Sequence, residues 1–392
     1  MSDNVTELGL ELETAHDRKG LLKKILAIVA ATVFVCGVVA VVLFGESLNL
    51  DNFRRWFKYM NIVQDGTYGS YSFDSHSSNR YGSFSDGLAV ASVSGLDAYD
   101  ENGGELFILQ QQMALPQLMV KGELAVAYDV GGYHLLALHA RNGEVLRLEE
   151  NRAILDADVS SGGHICVSSS ASGYKSVLSV YNEKQQLVYR WLSSTTYIPH
   201  CAISPDGKML VAVGLGQSGG NFESTLYYFR TDSEEIQMSV SLGSDLIYDV
   251  YFTESGNICA IGELGVQCIN QKGDVLGSYL YEEPYLKDYD LGGKGFLTLS
   301  VNMYRAGNRY SLVTVDDTGH KIAGTYIGQE ILDISAAGRY VAVLTSDGLT
   351  VYTQNLTVYA STIETGNATA IVMREDGSVL LIGNGEGRLY IP

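Results

Sequence analysis

A short phrase recurs along this chain and leaves few folds open to it. Its clearest copy is Ile203–Gly214, ISPDGKMLVAVG. Pro205 presets φ for a tight turn, and Gly207 supplies the permissive backbone that closes it. After the turn, Met209, Val211 and Val213 interleave with Leu210 and Ala212. That run is apolar on both faces, as a strand buried between two sheets requires. Related phrases begin at Phe84, Leu118, Val159, Phe252, Leu291, Ile334 and Val372, which makes eight copies. The turn glycines (Gly87, Gly122, Gly163, Gly207, Gly256, Gly295, Gly338 and Gly377) are spaced 35, 41, 44, 49, 39, 43 and 39 residues apart. Strand-only content at a period of about 40 residues is the signature of a β-propeller.

The strands after each phrase set the count. Seven polar C–D hairpins follow the A–B turns, among them DAYDENGGELF, LHARNGEVLRL and VDDTGHKIAGTY. The eighth copy runs out at Leu389–Pro392, after its third strand. Thr67–Asp74, TYGSYSFD, alternates aromatic with small residues ahead of the first repeat. It is predicted to supply the missing outer strand and close the ring, which removes the open edges. The expected fold is therefore all-β: a propeller of eight four-stranded blades over residues 67–392, with seven blades as the alternative if one weak copy is an insertion.

The first 66 residues read differently. Residues 1–20 are polar and too short for a core, and are expected to be a disordered cytoplasmic tail. Within 21–45, Ile25–Phe44 is twenty uncharged residues, enough to span a ~30 Å hydrocarbon layer as a helix. Arg18, Lys19, Lys23 and Lys24 precede it, while Arg54, Arg55 and Lys58 follow it. Four against three favours a cytoplasmic N-terminus and an extracellular propeller on a single-pass anchor. The long apolar run, the acidic N-terminal region and the lack of a small-x-small site argue against a cleaved signal peptide. In the 46–66 segment, Phe53, Trp56, Phe57 and Met60 fall at helical spacing. An interfacial helix and a stalk helix packed on the propeller fit that pattern equally.

Charge narrows the partners. The chain has 26 basic and 45 acidic residues, and residues 1–59 carry seven of each sign, so the whole excess of −19 lies in the repeats. Such a surface repels phosphate backbones, and nucleic acid is not an expected partner.

The ISPDGKMLVAVG phrase resembles the A–B turn of WD40-like and quinoprotein-like propellers. The closing WD dipeptide is absent from every repeat, and Trp191 is the only tryptophan in the propeller. The whole layout of tail, helix and propeller is similar to an uncharacterised family of membrane-anchored propellers from Gram-positive bacteria, a domain of unknown function. The resemblance implies a bacterial cell-surface location and no assigned activity.

Chemical motifs are few. GLGQSG, Gly214–Gly219, matches a dinucleotide-binding fingerprint, and GQSGG, Gly216–Gly220, a nucleophile elbow. Both need a strand–turn–helix context, whereas this stretch leads to the strand-like NFESTLYYF and is expected to be a long B–C loop. There is no HExxH, P-loop, EF-hand or CxxC. One constellation survives alignment of the repeats. The residues that open the inner strands are Arg80, Gln117, Asp156, His200, Asp249, Asp288, Asp333 and Ala370. Inner-strand starts sit at one mouth of the central channel, so these positions form a ring. Asp156, Asp249, Asp288 and Asp333 are a candidate site for Ca²⁺ or Mg²⁺, which favour oxygen ligands. Arg80, Gln117 and His200 are candidate binding residues of the same ring. The competing reading is that the aspartates only cap backbone N–H groups.

Two cysteines carry a register prediction. In ICAIGELGVQCI a turn at Glu263–Leu264 makes Cys259 and Cys268 a non-hydrogen-bonded cross-strand pair. A disulfide and two reduced, packed thiols are both open at that pair. The expected function is a non-catalytic surface scaffold for a protein, a peptide or a cell-wall glycan, with no cofactor beyond the ring cation. The alternatives are a metal-assisted hydrolase or lactonase-type enzyme at the channel mouth, and an envelope assembly factor.

Overall fold

The computed structural model describes residues 71–392, Asn151 excepted, together with two isolated helical positions, Val29 and Thr32. The expected tail, stalk and all but those two positions of the membrane segment lie outside the described residues. Among the described residues no helix is long and apolar enough to cross a membrane.

Among the described residues, the strands form eight four-stranded antiparallel sheets, and the fold is an eight-bladed propeller. In blades 1 to 7 strands A to D run in chain order from the axis outward, and in blade 8 strands A to C do so. The A strands of blades 1 to 8 are Arg80–Phe84, Pro116–Lys121, Ile154–Val159, Tyr197–Ile203, Ile247–Phe252, Tyr285–Asp290, Ile331–Ala337 and Ala370–Met373. Antiparallel order places the D–A connections and B–C turns at one end of the propeller, and the A–B and C–D turns at the other. The B strands are apolar and buried on both faces, Gly87–Ser92 and Phe296–Asn302 throughout their length. Their side chains fill the cores between neighbouring blades. Cys166, Leu178 and Val180 of blade 3, for example, pack with Cys201, Leu210 and Phe229 of blade 4. Each fully buried Leu or Phe contributes about 1.5–3 kcal/mol.

Ring closure follows the sequence expectation. Blade 8 takes its outermost strand from the start of the propeller, where Tyr71–Ser72 pairs with Glu386–Tyr390 in the register Tyr71↔Gly387. Tyr71 is fully buried between blades 8 and 1, among Leu88, Tyr99 and Leu380. Its ring meets Tyr99 edge-on at 6.1 Å, and its hydroxyl accepts a 2.9 Å bond from Arg374 Nη2. Glycine at 387 leaves room for it, since a Cβ there would lie 3.2 Å from Tyr71 Cβ.

Two local expectations are corrected. Seven of the eight turn glycines hold a left-handed φ, but at the first turn Ser85 carries it instead, at 53°. Gly87 serves close approach: an added Cβ would lie 1.9 Å from the Tyr99 carbonyl oxygen. The GLGQSG stretch is not a loop. It continues strand B, Met209–Ser218, into strand C, Asn221–Arg230, through a two-residue turn at Gly219 and Gly220, both at positive φ. No helix follows it, so neither motif has its required context.

Candidate functional site

Only Arg80 and Ala370 open their inner strands; Gln117 is second, Asp156, Asp249 and Asp333 are third, and His200 and Asp288 fourth, and the local geometry explains the aspartates. In blades 3 to 7 the A–B ladder shifts register just before the ring residue: between Ile154 and Asp156, Tyr197 and His200, Ile247 and Asp249, Leu286 and Asp288, and Ile331 and Asp333. Blades 1, 2 and 8, which carry Arg80, Gln117 and Ala370, pair without that shift. A bulge bends the strand and re-aims the side chain that follows.

An inner strand pairs only with strand B, so the N–H groups on its other edge have no ladder partner. Asp156 and Asp333 fill that need across the blade boundary. Asp156 Oδ1 accepts the N–H of its own neighbour Ala157, and Oδ2 accepts the N–H of Cys201 in blade 4, both at 2.9 Å. Asp333 Oδ2 likewise accepts the N–H of Ile371 in blade 8, at 2.7 Å. Asp288 accepts the N–H of its own neighbour Tyr289, at 2.9 Å. A second rung lies two residues on. Asp158 accepts Ile203 N–H at 3.0 Å, and Ser335 Oγ accepts Met373 N–H at 3.1 Å. Blade boundaries 3/4 and 7/8 are thus each clasped by two rungs. Asp249 differs: it bonds Val250 N–H at 2.7 Å but reaches blade 6 through the Tyr289 hydroxyl, at 3.1 Å.

Burial sets the electrostatics. It pushes the Asp158 and Asp333 carboxyls up to about 7, against the backbone N–H bonds that hold them down. Asp249, Asp288 and Asp290 are pushed up to about 6, Asp249 also by the nearby charge of Asp156. Burial pulls His200 down, but the carboxylates of Asp156 and Asp249 outweigh it and leave the imidazole above its ordinary value. His200 Nδ1 stands 3.7 Å from Asp156 Oδ2, an ion-pair distance. Tyr128 Oη donates to Asp156 Oδ1 at 2.9 Å.

Among the described residues no group of three or more His, Cys, Asp or Glu is arranged to hold a metal ion. Asp156, Asp249 and Asp333 turn sideways onto the neighbouring blade. Of the candidate binding residues, Arg80 is exposed and donates to the Asn79 and Ser78 carbonyls at 3.1 and 3.4 Å. Gln117 is half-buried at the second position of its strand. The structure brings only His200 into a cluster, with Asp156. The second rung escaped the sequence reading, although DAD at Asp156–Asp158 and DIS at Asp333–Ser335 carried its signal.

A different surface stands out chemically. Exposed large apolar side chains crowd the D–A/B–C end, among them Leu115, Tyr133, Tyr174, Leu264, Tyr304 and Ile363, the last 86% exposed. They come from blades all round the ring. At the other end the exposed apolar residues, such as Leu187, Ile236, Val275 and Val358, lie on outermost strands, and the A–B and C–D turns contribute none. Two grooves open at the apolar end as well. One, of about 500 Å³, runs between blades 6 and 7 past Tyr326, Asp347 and Glu364. The other, of about 610 Å³, lies at Ser94 and Gln110–Met113 of blade 1. Neither includes a ring residue.

Over residues 63–387 the chain matches the model of a family described as Family of unknown function (DUF5711), and it belongs to that family. No curated protein matches it. Among solved structures it is similar to the crystal structure of the C-terminal WD40 domain of Sif2, with a TM-score of 0.55 and 14% sequence identity, over 84% of this chain and 96% of that one. At that identity the likeness shows the fold alone.

Proposed function

We propose that this member of the DUF5711 family is a non-catalytic binding scaffold, held at a membrane by Ile25–Phe44 with the propeller outside, that captures a protein or peptide on its D–A/B–C end. The asymmetry of the two ends carries the reading. Exposed tyrosines and aliphatic side chains around one rim are the residue types that anchor protein partners. The ring carboxylates, by contrast, are committed to backbone N–H groups and serve the scaffold. The anchor rests on the twenty uncharged residues and the basic residues before them.

Two paired experiments test the proposal. Partners are cross-linked in envelope extracts to the full chain and to two variants. Tyr304→Asp with Ile363→Asp alters the apolar end, and Val275→Asp with Val358→Asp alters the outer strands near the other end. The reading expects one partner that is lost with the first variant and kept with the second. A partner kept by both, or lost from both folded variants, overturns the assigned face. For the anchor, protease added to intact protoplasts is expected to digest the propeller, and full protection would reverse the topology.

A further inference from the structure

The propeller holds two close cysteine pairs in different situations. Cys259 and Cys268 are direct cross-strand neighbours in blade 5, in the register the sequence predicts, and form a disulfide with Cα atoms 4.2 Å apart. The other two, Cys166 and Cys201, lie 35 residues apart on different blades. Cys166 is on strand B of blade 3, Ile165–Ala171, and Cys201 on strand A of blade 4. Their Sγ atoms are 3.5 Å apart inside the core between the two blades.

We propose that Cys166 and Cys201 are a second disulfide site, one that staples blade 3 to blade 4. The carboxylate clasp prepares it. Asp156 accepts the N–H of Cys201, and Asp158 that of Ile203, which fixes strand A of blade 4 against the blade that carries Cys166. Cys166 is itself paired opposite Asp158 in the A–B ladder. Both thiols therefore hang from segments already held together, and bond formation asks the sulfurs to close by about 1.5 Å. The step is a thiol–disulfide exchange with a small external disulfide such as oxidised glutathione. One cysteine thiolate attacks a sulfur of the reagent and expels one thiolate. The other cysteine then attacks the protein-bound sulfur of the mixed disulfide and expels the second. Two protein thiols are oxidised, one external disulfide is reduced to two thiols, and these take up the two protons released.

Access sets the timing. Both cysteines are essentially fully buried in the folded ring. The Cys166–Cys201 contact and burial hold the Cys201 thiol well above its ordinary value, and burial raises that of Cys166. The closed propeller is thus slow to react: the first exchange takes place during folding, before blade 4 closes on blade 3, or in rare openings of that boundary, and the second follows as the clasp brings the two cysteines together. The oxidising surroundings come from the extracellular placement proposed above, but the test below does not depend on it.

The full chain carrying Cys36→Ser is unfolded, reduced and refolded in detergent, once with a reduced/oxidised glutathione buffer and once with excess reduced glutathione. Each product is unfolded in iodoacetamide and mapped without reduction. The oxidised sample is expected to give a Cys166–Cys201 cross-linked peptide and no alkylated cysteine. Its melting temperature should lie above that of an identically refolded Cys166→Ala/Cys201→Ala variant that keeps the blade 5 disulfide. Alkylation of both Cys166 and Cys201 beside an intact Cys259–Cys268 bond would overturn the proposal, as would pairing of either one with a blade 5 cysteine. Failure of the double variant to fold leaves the peptide map as the deciding readout. A partner kept by both surface variants, or lost from both, with the cross-linked peptide present, would refute the binding reading and leave this one standing.

Discussion

The boundary between blades 7 and 8 and the boundary between blades 8 and 1 join the same sheet to its two neighbours by opposite means. At the first, Asp333 and Ser335 hand acceptors to Ile371 and Met373. At the second, the matching positions of blade 8 are Ala370 and Val372, which have no polar atom to offer. Closure there rests on apolar burial of Tyr71 with Leu88, Val90 and Tyr99, and on the pairing of Tyr71–Ser72 with blade 8. A clasp needs two strands that arrive together in the chain, with 38 residues between Asp333 and Ile371. Ring closure joins residues 303 apart, as in the Tyr71–Arg374 bond inside blade 8, and depends on the first strand of the propeller reaching its last blade. Non-directional burial tolerates that late fit better than a short carboxylate bond does.

The largest effect is expected at the closing boundary. A soluble chain that begins at Ser75 loses Tyr71 and leaves blade 8 with an open edge. Removing a buried aromatic side chain alone costs about 3–5 kcal/mol. Calorimetry should show the sharp transition of a chain begun at Thr67 replaced by a broad one at lower temperature. Equal melting curves would mean that burial of Tyr71 does not hold the ring.

The clasp should give way by less. Asp333→Ala leaves the Ile371 N–H without its acceptor, at a cost of about 1–3 kcal/mol for a buried donor. Asp333→Asn keeps a carbonyl oxygen at that place and should recover much of the loss. Urea unfolding that ranks Asn with Ala, or both with the parent, would show that the clasp bonds are not what join blades 7 and 8.

The same comparison shows where sequence reasoning reached and where it stopped. Eight A–B turns against seven C–D hairpins foretold the closing strand, because both are local patterns written in glycines and alternating side chains. The pairing of Cys259 with Cys268 followed from a two-residue turn for the same reason. The clasp was half visible. Aspartates at the strand starts could be aligned, but their partners are backbone N–H groups 45 and 38 residues away, at Cys201 and Ile371. Every residue except proline carries that donor, so no side-chain identity marks it. The bulges that aim the carboxylates are likewise register shifts and have no residue signature of their own. The exposed rim was hidden by composition: tyrosines that form strands and tyrosines that face solvent look alike in a list.

Proton linkage offers a gentler way to separate the two boundaries. Asp158 and Asp333 stand near 7 in the folded chain, and Asp249, Asp288 and Asp290 near 6, all above the ordinary 3.8. A carboxyl whose folded value is raised contributes stability that is full below its unfolded value and is lost as pH rises through the folded one. The raised imidazole of His200 acts in the same direction. Asp206 and Asp316, held below the ordinary value by their turn hydrogen bonds despite some burial, lose their contribution only under more acid conditions. The melting temperature is therefore expected to rise as pH falls from 8 to 5. An Asp158→Asn/Asp333→Asn variant should show a flatter slope, while Tyr71→Phe should leave the slope unchanged. A parent melting temperature that falls over this range would show that the N–H bonds outweigh burial at these carboxyls.

The smallest expected effect is that of metal removal. A Ca²⁺ or Mg²⁺ ion on the axis would need several oxygen ligands turned toward one point. Asp156 has one oxygen on Tyr128 and Ala157 and the other on Cys201, so binding an ion would break the bonds that join blades 3 and 4. Asp333 would likewise have to release Ile371, and Asp249 would have to release Val250 and Tyr289. Stabilisation by an ion requires that it bind the native state, and here it would compete with the contacts that define that state. Melting curves with EDTA and with millimolar Ca²⁺ should coincide. A drop with EDTA that Ca²⁺ reverses in the parent, but not in Asp156→Asn, would mean that the carboxylates leave the neighbouring blades to converge on a cation. The clasp would then be only one of two states of the ring.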